Sequence, residues 1–112
     1  MRVWQKAKAL AVQIYGLSDE GKLSRDFGLR DQMRRAAVSI CSNIADGDEG
    51  GTDRDSVRFF YIAKGSLAEL VTQLEIARDV GYLETASAEQ LETECEEIGR
   101  MIGFLIKARA SR

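Results

Sequence analysis

Apolar residues return every three or four positions in four separate blocks along this chain. In the first block Val3, Ala7, Leu10, Ile14 and Leu17 step by four, three, four and three, with Trp4 and Ala11 beside them, so one face of a helix is apolar. Gly16, Ser18 and Gly21 predict its end and a loop over 18–28 containing a short turn of its own. Phe27 and Leu29, large apolar residues on either side of Gly28, are expected to plug the open end of a bundle.

The second block predicts a helix over 29–45. Met33, Ala36, Ala37, Ile40 and Ile44 make its apolar face, and Arg35, Ser39, Ser42, Asn43 and Asp46 make an adjoining polar line. Arg30 is a poor cap for its start, although Asp31 suits the positive end of the helix dipole. Asp46 and Gly47 are expected to close it, with Gly47 in the left-handed C-terminal position.

Thr52-Asp-Arg-Asp55 has the form of a capping box and opens the third helix. Val57, Phe60, Tyr61, Leu67, Leu70, Val71, Leu74 and Ala77 carry an apolar stripe on to Val80, which predicts about 25 residues and a length on the order of 40 Å. Gly65 inside it costs roughly 1 kcal/mol relative to alanine, so another backbone is expected to approach closely there. Gly81 marks the stop. Ser87-Ala-Glu-Gln90 reads as a second capping box, and Leu91, Cys95, Ile98, Ile102 and Leu105 repeat the spacing of the first helix. The end is expected among Lys107, Arg109 and Arg112, whose charge suits the negative helix end. The prediction is an all-α chain, an antiparallel up-down four-helix bundle forming a single domain over 1–112.

Composition supports this. Proline is absent, 45% of residues are hydrophobic and 30% charged, ordinary values for one globular domain of this length. Sixteen basic residues against eighteen acidic leave a formal charge of −2 and a sequence pI near 5.2, which argues against a surface basic throughout but leaves room for a local patch. No apolar run has the length of a membrane span, so a soluble, cytoplasmic protein is expected.

Histidine is missing altogether. That excludes His-containing catalytic triads and zinc sites and removes the ready proton shuttle near neutral pH. Cys41 and Cys95 stand alone and are expected to be reduced packing residues. Glu92, Glu94, Glu96 and Glu97 could supply carboxylates, but di-iron bundles pair glutamate with histidine, and a solvated acidic face is the simpler meaning. No enzymatic activity, cofactor, metal or small-molecule substrate is expected.

Two surfaces remain. Lys22, Arg25, Arg30, Arg34 and Arg35 lie in one stretch opposed only by Asp26 and Asp31, and with Arg58 and Lys64 of the third helix they could contact nucleic-acid phosphates or a protein partner. The plainer reading is that Arg34 and Arg35 make ion pairs within or between subunits. The second surface is polar: Ser66, Glu69 and Gln73 share a face of the third helix, framed by Phe59, Ile62 and Ile76. Arg35, Ser39 and Asn43 are expected to meet Glu69 and Gln73 across the groove between the helices or across a subunit boundary, setting register and specificity more than stability. Trp4, Val38, Phe59, Ile62 and Ile76 fall off the main stripes and favour oligomerisation.

Val3-Trp-Gln-Lys-Ala7, Gln32-Met-Arg-Arg-Ala-Ala-Val-Ser-Ile40, Ser42-Asn-Ile-Ala45, Phe59-Phe-Tyr-Ile-Ala63, Gly65-Ser-Leu-Ala-Glu-Leu70 and Thr72-Gln-Leu-Glu-Ile-Ala77 together resemble the bacterial four-helix-bundle family, also called 23S ribosomal RNA intervening-sequence proteins. A related branch contains the accessory variability determinant of diversity-generating retroelements, a barrel-like homopentamer that binds nucleic acid and a reverse transcriptase. The resemblance implies a non-catalytic bundle that assembles as a ring of five, with self, RNA or a reverse-transcriptase-type nucleoprotein as partners. By position, the polar signature falls on Arg34, Arg35, Ser39, Asn43, Asp46, Arg58, Tyr61, Ser66, Glu69 and Gln73.

The chain departs from the pattern in three places. Cys41 stands where the family usually has proline, which predicts a weaker kink or none in the second helix. Asp46 replaces the usual glutamate. The loop over 47–53 is acidic where it is often basic, taking positive charge away from a surface expected to contact RNA. The two readings are a non-catalytic homo-oligomeric scaffold that meets RNA or a nucleoprotein, and a structural oligomer with no nucleic-acid role.

Overall fold

In the computed structural model, which describes residues 1–111, the heptad blocks become four helices. They are α1 (Arg2–Ser18), α2 (Phe27–Asp48), α3 (Asp53–Asp79) and α4 (Thr85–Ala110), with one 3₁₀ turn (Leu23–Arg25) between α1 and α2. Each packs against the next in sequence, and α1 meets α4 to close an up-down bundle with extents of 47 × 22 × 19 Å. Side-chain pairs show the antiparallel register: Ser39 with Ser66 across α2–α3, Glu92 with Arg78 across α3–α4, and Lys6 with Glu97 across α1–α4. No helix among the described residues is long and apolar enough to cross a membrane.

The core follows the predicted spacing closely. Val3, Ala7, Leu10 and Ile14 of α1 are buried, as are Met33, Ala37, Ile40 and Ile44 of α2 and Leu91, Cys95, Ile98 and Ile102 of α4. On α3 the buried line is Ser56, Phe60, Ala63, Leu67, Leu70, Leu74 and Ala77. Tyr61 and Val80, expected on that stripe, are exposed, because each lies one position off a heptad that steps through Phe60, Ala63 and Ala77.

The helix ends differ from expectation in instructive ways. Helix α2 starts two residues early because Asp26 caps it, its Oδ1 accepting from the Leu29 N–H at 3.1 Å. Its Oδ2 accepts from the Tyr82 hydroxyl at 3.0 Å, tying this cap to the α3–α4 turn. Phe27 does not plug the bundle; it is exposed beneath the Arg30 guanidinium, and Leu23 of the 3₁₀ turn is fully buried at that end instead. Helix α4 starts at Thr85 after Glu84, so Ser87 sits inside the first turn and caps nothing. The Thr52 cap forms as predicted, accepting from the Asp55 N–H at 3.1 Å. At the end of α3, Gly81 takes a φ of 85° while Tyr82 N–H bonds to Ala77 O and Gly81 N–H to Arg78 O, the paired bonds of a Schellman stop. The expected contribution of Arg112 lies outside the described residues.

Gly47 is the largest correction. It lies within α2, which runs on unbroken to Asp48 past Cys41, and its φ is not positive. A Cβ there would stand 2.5 Å from Cε1 of the fully buried Phe60 ring. Gly47 is therefore required by close approach and not by a left-handed turn. Gly65, where close approach was expected, has no described atom beyond its chain neighbours and its own helix backbone within 4 Å of its would-be Cβ.

Candidate partner-binding surfaces

The arginines of the basic stretch have separate fates. Arg34 turns back onto the end of α1: Nε donates to Ser18 Oγ at 2.8 Å, Nη2 lies 3.8 Å from Asp19 Oδ1, and the guanidinium covers the Tyr15 ring at 4.7 Å. Ser18 is fully buried, so this arginine satisfies a hydroxyl that has left water. Arg30 donates from Nη1 to Ser24 O at 3.1 Å and from Nε to Asp31 Oδ1 at 2.9 Å. Both hold the α1–α2 corner. Lys22, Arg25 and Arg35 are exposed. Lys22 and Arg25 border an open hollow with Asp26, Phe27 and Tyr82 at the corner end of the bundle.

The α3 cations do not join that patch. Arg58 lies near the start of α3, at the opposite end of the bundle, with its guanidinium 5.1 Å from the Phe59 ring. Lys64 is exposed six positions further on, on another side of the same helix. The seven cations thus form several small positive regions.

The polar line on α2 and α3 is partly assembled. Ser39 Oγ and Ser66 Oγ are 2.8 Å apart across the groove, and Asn43 Nδ2 donates to Ser39 Oγ at 3.1 Å and to Ser39 O at 2.8 Å. Gln73 is only 8% exposed and its Oε1 accepts no hydrogen bond from any described group. Arg35 and Glu69 are both exposed and form no ion pair with each other among the described residues. Asp46 and Tyr61 are exposed as well. Around this line Val38, Ile62 and Ile76 are 40%, 44% and 46% exposed, while Trp4 and Phe59 are half-buried.

Two features of α4 escaped the sequence reading. Phe104 is 80% exposed and rims an open apolar hollow of about 410 Å³ shared with Met1, Val3, Met101 and Leu105. It lies one position off the stripe ending at Leu105, a signal present in the spacing. Arg109, expected only to complement the helix dipole, donates from Nη1 to the buried Ser56 Oγ at 2.8 Å and covers the Phe60 ring.

The glutamates of α4 are tied to α1. Lys6 Nζ lies 3.0 Å from Glu97 Oε1 and holds its carboxyl below the usual range by hydrogen bond and charge. Gln13 donates to Glu94 Oε1 at 3.1 Å. Cys41 and Cys95 are both free thiols, and burial first, then the charges of Glu94, Glu92 and Glu96, pushes Cys95 up to about 12. Among the described residues no group of three or more His, Cys, Asp or Glu side chains is arranged to hold a metal ion.

An up-down four-helix bundle with its polar groups distributed over outward grooves is the class that this fold defines. The chain belongs to the 23S rRNA-intervening sequence protein family, whose pattern matches residues 1–103. Its fold is similar to the crystal structure of a protein of unknown function from the S23 ribosomal protein family of Bacteroides thetaiotaomicron, with a TM-score of 0.85 and 23% identity over 94% of this chain and 98% of that one. No curated protein matches the sequence.

Proposed function

We propose that this chain is a non-catalytic helical scaffold that works as a homo-oligomer, a ring of five by the family resemblance, and meets RNA or a reverse-transcriptase-type nucleoprotein through its remaining exposed cations. The observation that carries the oligomer is the set of apolar side chains left in water outside a complete core: Val38, Ile62, Ile76 and Phe104. A domain of this size has already buried its own stripes, so these residues call for a partner surface. The cations available to phosphate are Lys22, Arg25, Arg35, Arg58 and Lys64, because Arg30 and Arg34 are engaged within the protomer.

That same engagement favours a second reading, a purely structural oligomer with no nucleic-acid role. Light scattering at micromolar concentration separates oligomer from monomer: the proposal expects five times the 12.4 kDa chain, and a mass of one chain overturns it. Salt separates the two readings. Phosphate contacts make RNA affinity fall steeply with ionic strength, and Lys22→Ala with Arg25→Ala and Arg35→Ala flattens that slope. An absence of RNA and DNA binding at low salt leaves the structural oligomer as the standing reading.

A further inference from the structure

We infer that the protomers associate head to tail, the α1–α4 groove of one copy docking on the α2–α3 groove of the next, with Phe104 seated over Gly65. The inference rests on the homo-oligomer reading above and names the surfaces that make it.

The helices follow one another around the bundle in sequence order, so these two grooves lie on opposite sides of the protomer. On one side Phe104 projects from α4, 80% exposed, more than any other large apolar side chain among the described residues. On the other, Gly65 leaves a gap in α3 with nothing within 4 Å of where a Cβ would be, between the exposed turns that carry Ile62 and Glu69. A projecting ring can lie directly on bare helix backbone where no side chain stands in its way. They are also level. Leu67 touches the Gly99 position and the Arg109 guanidinium covers Phe60, so Gly65 lies within about one helical turn of Phe104 along the bundle axis. Copies packed side by side and pointing the same way bring the two together.

Charge supports the same register. Glu97, Arg100 and Phe104 step by three and four along the α1-facing edge of α4, an edge set by the Lys6–Glu97 pair. Glu69 follows Gly65 by four on α3, as Arg100 precedes Phe104 by four on the antiparallel α4. Seating Phe104 on Gly65 therefore brings exposed Arg100 toward exposed Glu69 of the neighbour. Arg35, exposed on α2 beside the same groove, approaches the edge of α4 that carries Glu97. The buried Gln73 Oε1, without a hydrogen-bond partner among the described residues, lies one turn beyond Glu69 at the edge of the contact. Because the two faces differ, the contact is heterologous, and copies related by rotation close into a ring.

The test is a cross-link and a charge reversal in the full chain, with Cys41→Ser throughout. Gly65→Cys with Phe104→Cys in one chain, oxidised, is expected to yield a ladder of covalent multimers, and neither single variant should. Glu69→Arg should raise the concentration for half-dissociation about tenfold or more, and added Arg100→Glu should restore assembly. Self-cross-linking of the Gly65→Cys variant reports a two-fold contact and overturns the arrangement. An oligomer that gives no ladder and keeps its mass as Glu69→Arg overturns the docking geometry while leaving the homo-oligomer intact. A monomeric parent protein removes both. Circular dichroism checks that the variants, at exposed positions apart from the half-buried Cys41, remain folded.

Discussion

The α2–α3 and α1–α4 grooves close opposite sides of one bundle by different means. Across α2–α3 the joining residues are small: Gly47 admits the Phe60 ring and Ser39 bonds Ser66 directly. Across α1–α4 long side chains bridge the gap, Lys6 to Glu97 and Gln13 to Glu94. Small residues let helices approach and place their stability in packing, where water is excluded. Long polar and charged residues span a seam that water can reach, so their net contribution is small. The first groove is thus the close-packed spine of the protomer and the second its water-accessible seam.

Substitutions should divide along that line. Phe60→Ala removes a fully buried ring from the spine and is expected to cost about 3–5 kcal/mol, read as a lowered urea midpoint. Gly47→Ala should cost about 1–3 kcal/mol through overpacking, despite the higher helix propensity of alanine. Phe60→Leu in the same chain should relieve part of that cost, and additive effects would show that contact with the ring does not set the groove's width. Ser39→Ala should cost about 1 kcal/mol, since Ser66 loses its partner inside the groove, whereas Ser39→Ala with Ser66→Ala should cost less than the two singles added.

The seam should show the smallest effect and the clearest pH dependence. The Glu97 carboxyl is held below its ordinary value of 4.5 by Lys6. Its contribution is therefore present above the unfolded value and lost as pH falls from about 4.5 through the lowered folded value. Urea midpoints of the parent and Glu97→Gln should differ slightly at neutral pH and converge in acid. A difference that grew on acidification would refute the pairing.

The arginines at 34 and 35 teach the same lesson at one-residue scale. Neighbours in sequence point about 100° apart on a helix. Arg34 turns toward the buried Ser18 hydroxyl while Arg35 faces outward. Their charge and spacing were legible in the sequence, but the destination of Arg34 depends on where the end of α1 arrives. Asp26 is similar. An aspartate three residues before Leu29 is a legible cap once Phe27 is allowed into the helix, yet its bond to Tyr82 joins residues far apart in sequence. Phe104 was legible as an apolar residue off its stripe; Gly47 was misread because a glycine near a helix end suits both a left-handed stop and a close approach.

By itself the sequence determined four helices, their core stripes, the Thr52 cap, the Gly81 stop and the order in which neighbours pack, because these depend on local conformation and on a repeat of three and four. The tertiary structure decided which glycine admits a ring, which arginines are engaged within the bundle and which apolar residues stay in water. Those outcomes depend on distances between helices, and such distances exist only once the core has drawn the helices together.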